Sequence, residues 1–161
     1  MIYSSLFAAM LAVCAWVSVP VGDMVFTMQT FGIFLALLLL GGKWGTVCIL
    51  IYLLLGAVGL PVFSGLRGGP GVLLGVTGGY LWGFLFTGLT FWLLEDWGRL
   101  PALAAGLLVC YGCGTLWFCT YAGEAGASAA IVRCVLPYLL PDIVKIAMAL
   151  LLSRRLKRFV A

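Results

Sequence analysis

The chain has 161 residues, of which 65% are hydrophobic and 9% charged, and it carries a formal net charge of +4. Soluble domains hold about 25% charged residues, so this composition, with a mean hydropathy of +1.23, excludes a water-soluble fold. The positive balance does not indicate nucleic acid either, because Arg154, Arg155, Lys157 and Arg158 are bunched at the carboxyl end. A spanning helix takes about 20 apolar residues, and runs such as 34–40 and 48–55 lack the alternation of a membrane strand. The expected class is an all-α integral membrane protein with six transmembrane helices in a single domain. Spans are expected at about 3–21, 27–41, 43–60, 76–95, 100–121 and 139–158.

The first span carries Ser4, Ala8 and Ala12 at four-residue spacing, with Ala15 beside them. Small residues in that register let a second helix approach closely in lipid. The face serves either internal packing or the docking of a partner subunit. The span lacks a charged start and a cleavage site, so it reads as retained rather than as a signal peptide. Next comes a polar interruption at 22–30, GDMVFTMQT, whose Asp23, Thr27, Gln29 and Thr30 belong at the interface or against a cavity. The second and third spans are joined by a tight turn at Gly41, Gly42 and Lys43. Residues 59–83, GLPVFSGLRGGPGVLLGVTGGYLWG, then interrupt the apolar pattern. Irregular backbone at membrane depth is tolerated only where it is buried in protein or lines a cavity. The loop at 61–75 is therefore a candidate binding element, with a plain outer loop before a packed helix as the alternative. Gly75, Gly79 and Gly83 put small residues on one face of the fourth span, and Glu95, Asp96 and Arg99 form a charged turn after it. The fifth span begins near Pro101, residues 122–138 read as a loop, and the sixth span starts near Pro141. Proline suits a first helical turn, where its missing N–H would be unpaired anyway.

Counting Lys and Arg at the span ends puts both termini, Lys43 and Arg99 in the cytoplasm, and leaves Arg67 and Arg133 outside. The interruption at 22–30, the glycine-rich stretch and the start of the last span then share the outer end. Asp142 and Lys145 stand there on one helix face. Ionisable residues inside membranes pair with one another and mark substrate or ion paths; the alternative is an Asp cap with a lysine reaching the interface. Thr27, Gln29 and Thr77 add hydroxyl and amide groups, and Phe26, Phe63 and Tyr80 add aromatic walls. The set suits a small, partly apolar ligand with a urea, amide or carboxylate. The chain has no histidine to act as a base, so enzymatic hydrolysis is not expected. Cys110 and Cys113 lack the further ligands of a metal site, and no cofactor is expected. The glycine-rich stretch lacks the ending of a phosphate loop, so ATP-driven transport would draw on another subunit.

Four pieces carry a family resemblance: FTMQT at 26–30, GLPVFSG at 59–65, GVLLGVTGGYLWGF at 71–84 and PDIVK at 141–145. In this order and spacing they make the whole chain resemble the BioY family, the biotin-specific substrate-binding (S) components of energy-coupling factor (ECF) transporters. The family's usual G-P-T-G-G-Y appears with Val76 in place of proline. The resemblance implies the S-component fold in the cytoplasmic membrane, biotin as ligand, and a transmembrane T component with ATP-binding subunits as partners. Under it, Asp142 would accept ureido N–H groups and Lys145 would donate to the ligand's polar end. Thr77, Gly78, Gly79 and Tyr80 would shape the pocket wall, with Gln29, Thr27, Phe26, Phe63 and Ser64 lining it. Arg67 becomes a candidate partner for the valerate carboxylate, and the Ser4, Ala8 and Ala12 face a candidate docking surface. An S component for another small vitamin, or a structural membrane protein, are the competing readings.

Overall fold

The computed structural model describes residues 2–21, 24–122 and 135–160. The expectations for Asp23, Arg133 and most of the 122–138 loop fall outside them. Helix α1 (Ile2–Trp16) ends earlier than the first expected span. Val17, Val19 and Val21 alternate with Ser18 and Pro20, a β-branched pattern suited to extended chain, and Pro20 cannot donate within a helix. Strand β1 (Ser18–Val21) pairs antiparallel with β2 (Met24–Thr27), Ser18 opposite Thr27. Part of the expected polar loop is thus a two-stranded hairpin.

Helix α2 (Gln29–Ala57) contains two spans. Gly41, with φ 80° and ψ 171°, breaks the helix in a conformation that glycine takes without steric cost. The limbs 29–40 and 42–57 fold against each other, and a Cβ on Gly45 would sit 2.9 Å from Leu37 Cα. The second limb begins with Gly42 N donating to Glu95 Oε2 at 2.8 Å, a carboxylate where a helix N-terminus favours negative charge. Helix α1 lies on α2 with Ser4, Ala8, Leu11, Ala12 and Ala15 buried. A Cβ on Gly32 would come within 2.9 Å of Leu11 Cδ2 and 3.1 Å of Cys14 Sγ. The docking expectation for Ser4, Ala8 and Ala12 is therefore corrected: the chain's own core covers that face.

The third loop follows α2 and contains the short helix α3 (Pro70–Leu73). Trp16 Nε1 donates to its Pro61 carbonyl at 2.8 Å, and Gly69 N donates to Gly56 O at 2.7 Å, so both of its halves are fastened to the bundle. Helices α4 (Gly78–Leu94) and α5 (Arg99–Ala122), joined by a 3-10 turn at Glu95–Trp97, pack face to face. A Cβ on Gly83 would lie 3.1 Å from Cys110 Cα, and the Thr87 hydroxyl in the same seam is 2.9 Å from both Gly83 O and Gly106 O.

Helix α6 (Leu136–Val160) starts before Pro141, which lies inside it. Pro137, not Pro141, occupies the first turn, and Pro141 leaves the Pro137 carbonyl without its usual i+4 donor. With α2 counted as two limbs and the short α3 set aside, the described residues form a bundle of six helices. Arg99–Tyr121 and Leu136–Lys157 are each long and apolar enough to cross a membrane.

Replacing Gly83 by Leu is expected to lower the unfolding temperature in detergent, with an overpacking cost of roughly 1–3 kcal/mol. Gly112→Leu is the control: an added Cβ there meets nothing within 4 Å, so stability stays within about 0.5 kcal/mol of the original. Indistinguishable melting of Gly83→Leu and the parent protein would refute the close α4–α5 approach.

Candidate ligand-binding site

The starts of α2, α4 and α6 and the third loop meet at one end of the bundle, with α5 closing the side. They enclose a cavity that opens at its mouth, a mostly apolar hollow with a few placed polar groups, as small-molecule sites are. Phe63 and Val72 of the third loop, Tyr80, Leu81 and Phe84 of α4, Cys110 and Tyr111 of α5, and Tyr138 of α6 give it apolar and aromatic walls. Thr27, Gln29, Thr30, Ser64, Thr77, Asp142 and Lys145 supply its polar groups.

Asp142 and Lys145 are 3% and 4% exposed. Charges buried this deeply must be paired and hydrogen-bonded. An ammonium has three donors, and Lys145 uses each of them. Its Nζ donates to Asp142 Oδ1 at 2.8 Å, to the Thr27 carbonyl at 2.7 Å and to Thr30 Oγ1 at 2.9 Å. Beneath it the Phe26 ring centroid lies 4.2 Å away, a cation–π distance, and Phe26 stacks on Tyr138. Asp142 Oδ1 also accepts from Thr30 Oγ1 at 2.9 Å, and Oδ2 accepts from the Tyr111 hydroxyl at 2.6 Å. A carboxylate offers about four acceptor positions. Among the described residues three are filled, two on Oδ1 and one on Oδ2. Lys145 thus ties β2, α2 and α6 together while it also lines the cavity.

A second polar line crosses from α2 to the third loop. Thr27 Oγ1 donates to Gln29 Oε1 at 3.3 Å, Gln29 Nε2 to the Tyr52 hydroxyl at 2.6 Å, and that hydroxyl to the Val62 carbonyl at 3.0 Å.

Of the residues expected from sequence, Thr27, Gln29, Phe63, Ser64, Thr77, Tyr80, Asp142 and Lys145 meet at the cavity. Phe26 stands behind Lys145 instead of in the lining. Gly78 packs against the Leu73 carbonyl and Gly79 against Trp117, so these glycines seat α4 and do not line the wall. Arg67 is exposed and lies outside the cavity lining, its Nε donating to its own loop's Ser64 carbonyl at 3.2 Å. Thr30, expected at the interface or against a cavity, lines it, whereas Tyr111 and Tyr138 were missed by the sequence reading. Tyr111 had a signal: a phenol amid the apolar fifth span needs a partner for its hydroxyl.

Lys145→Met is expected to destabilise the protein by about 3–5 kcal/mol, because it strands a buried carboxylate. Adding Asp142→Asn should recover part of that loss, as read by thermal unfolding in detergent. A double variant no more stable than Lys145→Met alone would show that the two charges do not depend on each other.

Comparison with known proteins agrees with this architecture. A sequence profile of the BioY family matches residues 1–161. The chain is 38% identical to the biotin transporter BioY of Thermotoga maritima, with 98% of this chain and 95% of that one covered. It is 40% identical to the probable biotin transporter BioY of Pyrococcus horikoshii, covering 95% and 93% respectively. Its fold matches the 2.1 Å crystal structure of the S-component for biotin from an ECF-type ABC transporter with a TM-score of 0.88 at 26% identity, covering 98% of this chain and 89% of that one. Sequence and fold together make this chain a member of the BioY family.

Proposed function

We propose that this protein captures biotin for uptake across the cytoplasmic membrane, as the S component of an ECF transporter. The observation that carries the reading is buried Asp142 in an apolar-walled cavity, with one acceptor position on Oδ2 unfilled among the described residues. The ureido ring of biotin brings an N–H donor of the kind that position takes. Its sulfur ring and aliphatic tail suit Phe63, Val72, Leu81 and Phe84, while Gln29, Ser64 and Thr77 offer polar contacts at the rim. The printed names of the relatives, which are biotin transporters, support this choice of ligand.

The basic residues support an orientation. Lys43 and Arg99 flank the turns at the end opposite the cavity, and the carboxyl-terminal cluster lies in the last turns of α6. Under the positive-inside rule that end is cytoplasmic, with both termini inside and the cavity mouth outside. The chain's own work is to bind, orient and desolvate the ligand, which is transport and not catalysis. Energy for inward release comes from the partners this reading implies, a T component and ATP-binding subunits.

Equilibrium binding of labelled biotin to the purified protein tests the proposal. Asp142→Asn should weaken binding roughly 10- to 100-fold, the worth of a hydrogen bond to a charged group, and Arg67→Ala should leave it within about twofold. Saturable binding of a different vitamin in the same assay would reassign the ligand, and no binding of any would remove the capture reading. Co-purification of ATP-binding subunits from native membranes tests the assembly.

A further inference from the structure

We infer that Tyr52, which lies outside the cavity lining, positions two of its walls at once and so sets ligand affinity; this rests on the biotin-capture reading above. Tyr52 is fully buried in the second limb of α2. Its hydroxyl is matched in both directions, accepting from Gln29 Nε2 at 2.6 Å and donating to the Val62 carbonyl at 3.0 Å. One of those partners stands at the start of α2 and lines the cavity; the other belongs to the third loop, immediately before the lining residues Phe63 and Ser64. A phenylalanine would fill nearly the same space, so the hydroxyl's distinct contribution is the link between the two elements.

The ring contributes as well. Phe63 meets Tyr52 edge-on, with centroids 5.5 Å apart and planes at 84°. One turn further along α2, Gly56 leaves the space the Phe63 ring occupies, since any Cβ there would strike it. The third loop thus rests on a single face of α2 through the Val62 carbonyl, the Phe63 ring and the Gly69 N–H to Gly56 O bond.

On the other side, the Gln29 amide is fixed at both ends: Oε1 accepts from Thr27 and Nε2 donates to Tyr52. Its remaining N–H is then held in one direction for a ligand acceptor. Without the Tyr52 hydroxyl, the Gln29 donor and the Val62 carbonyl both lose their partner in a buried setting, where unpaired polar groups are costly. The amide is then free to turn, and the third loop loses one of its three supports on α2.

Tyr52→Phe keeps the ring and removes only the link. It is expected to weaken biotin binding roughly three- to tenfold, the worth of one neutral hydrogen bond. Trypsin supplies the readout that a general loss of stability would not reproduce, because cleavage requires local opening of the chain. Arg67 lies in the exposed part of the third loop, whereas Lys43 lies at the far turn of α2. Cleavage after Arg67 should accelerate several-fold in Tyr52→Phe while cleavage after Lys43 keeps its rate. Gln29→Met, which removes the donor at similar volume, should also speed cleavage at Arg67, and it carries the test if Tyr52→Phe does not fold. Unchanged biotin affinity with unchanged Arg67 cleavage would overturn the inference, and so would equal acceleration at Arg67 and Lys43. Failure of the unmodified protein to bind biotin would sink the ligand reading alone, leaving the two cleavage rates to decide the role of Tyr52.

Discussion

Burying Asp142 and Lys145 in an apolar bundle carries a desolvation penalty of several kcal/mol per ion unless each finds compensating partners. The partners lie on three other elements: the Thr27 carbonyl at the end of β2, Thr30 in the first turn of α2, and Tyr111 in α5. To satisfy the pair, these elements must converge on the start of α6. The same requirement explains why the hairpin ends where it does, since its last carbonyl is one of the ammonium's three acceptors. It also separates the roles of the two charges. The lysine is saturated by the fold, and the carboxylate keeps one position that the described residues do not fill.

Convergence of this kind needs backbones close together, and lipid supplies no hydrophobic drive to bring helices into contact. Close packing at glycine supplies it here, by two distinct means. Gly41 is needed for its conformation, because φ 80° turns one long apolar run back on itself. Gly32, Gly56 and Gly83 are needed for space: each faces a side chain, Leu11, Phe63 or Cys110, that leaves no room for a Cβ. Gly56 links packing to the site, since the ring it admits is a cavity wall.

Much of this was legible because charges and backbone breaks are loud signals in apolar sequence. Asp142 and Lys145 could be placed on one face by spacing alone, and the glycine-rich interruption located the third loop. Other features had weaker signals. Tyr52, Thr30 and Tyr111 are single hydroxyls within spans, and sequence does not name their partners, which lie 10, 112 and 31 positions away. The stripe of Ser4, Ala8 and Ala12 looks the same whether the chain's own helix or another subunit covers it; only packing distinguishes them. Arg67 attracted attention as the sole charge in its loop, yet a lone exposed cation can close a turn as readily as meet a ligand. Pro141 looked like a helix start because proline is usually placed there, but Pro137 lies one turn earlier and serves that role.

The position of the cavity follows from helix length. Helix α1 has 15 residues and α4 has 17; at 1.5 Å per residue these and the limb 29–40 extend only about 18–25 Å, less than the roughly 30 Å hydrocarbon core. Helices α5 and α6, with 24 and 25 residues, extend about 36–38 Å. Along one side, then, the bundle stops short, and the hairpin and the third loop occupy the remaining depth. Non-helical backbone there is tolerable because it is buried in protein or borders a cavity. The hollow therefore arises from truncated helices, not from small side chains in the core, so room for a ligand does not thin the packing beneath it. The division also sorts the chemistry. Asp142 and Tyr111 sit on the long helices and are held rigidly, whereas Phe63 and Ser64 sit on a loop fastened by a few hydrogen bonds, the kind of segment that opens at low free energy. A site built this way keeps its recognition geometry fixed while the way in remains the part that can move.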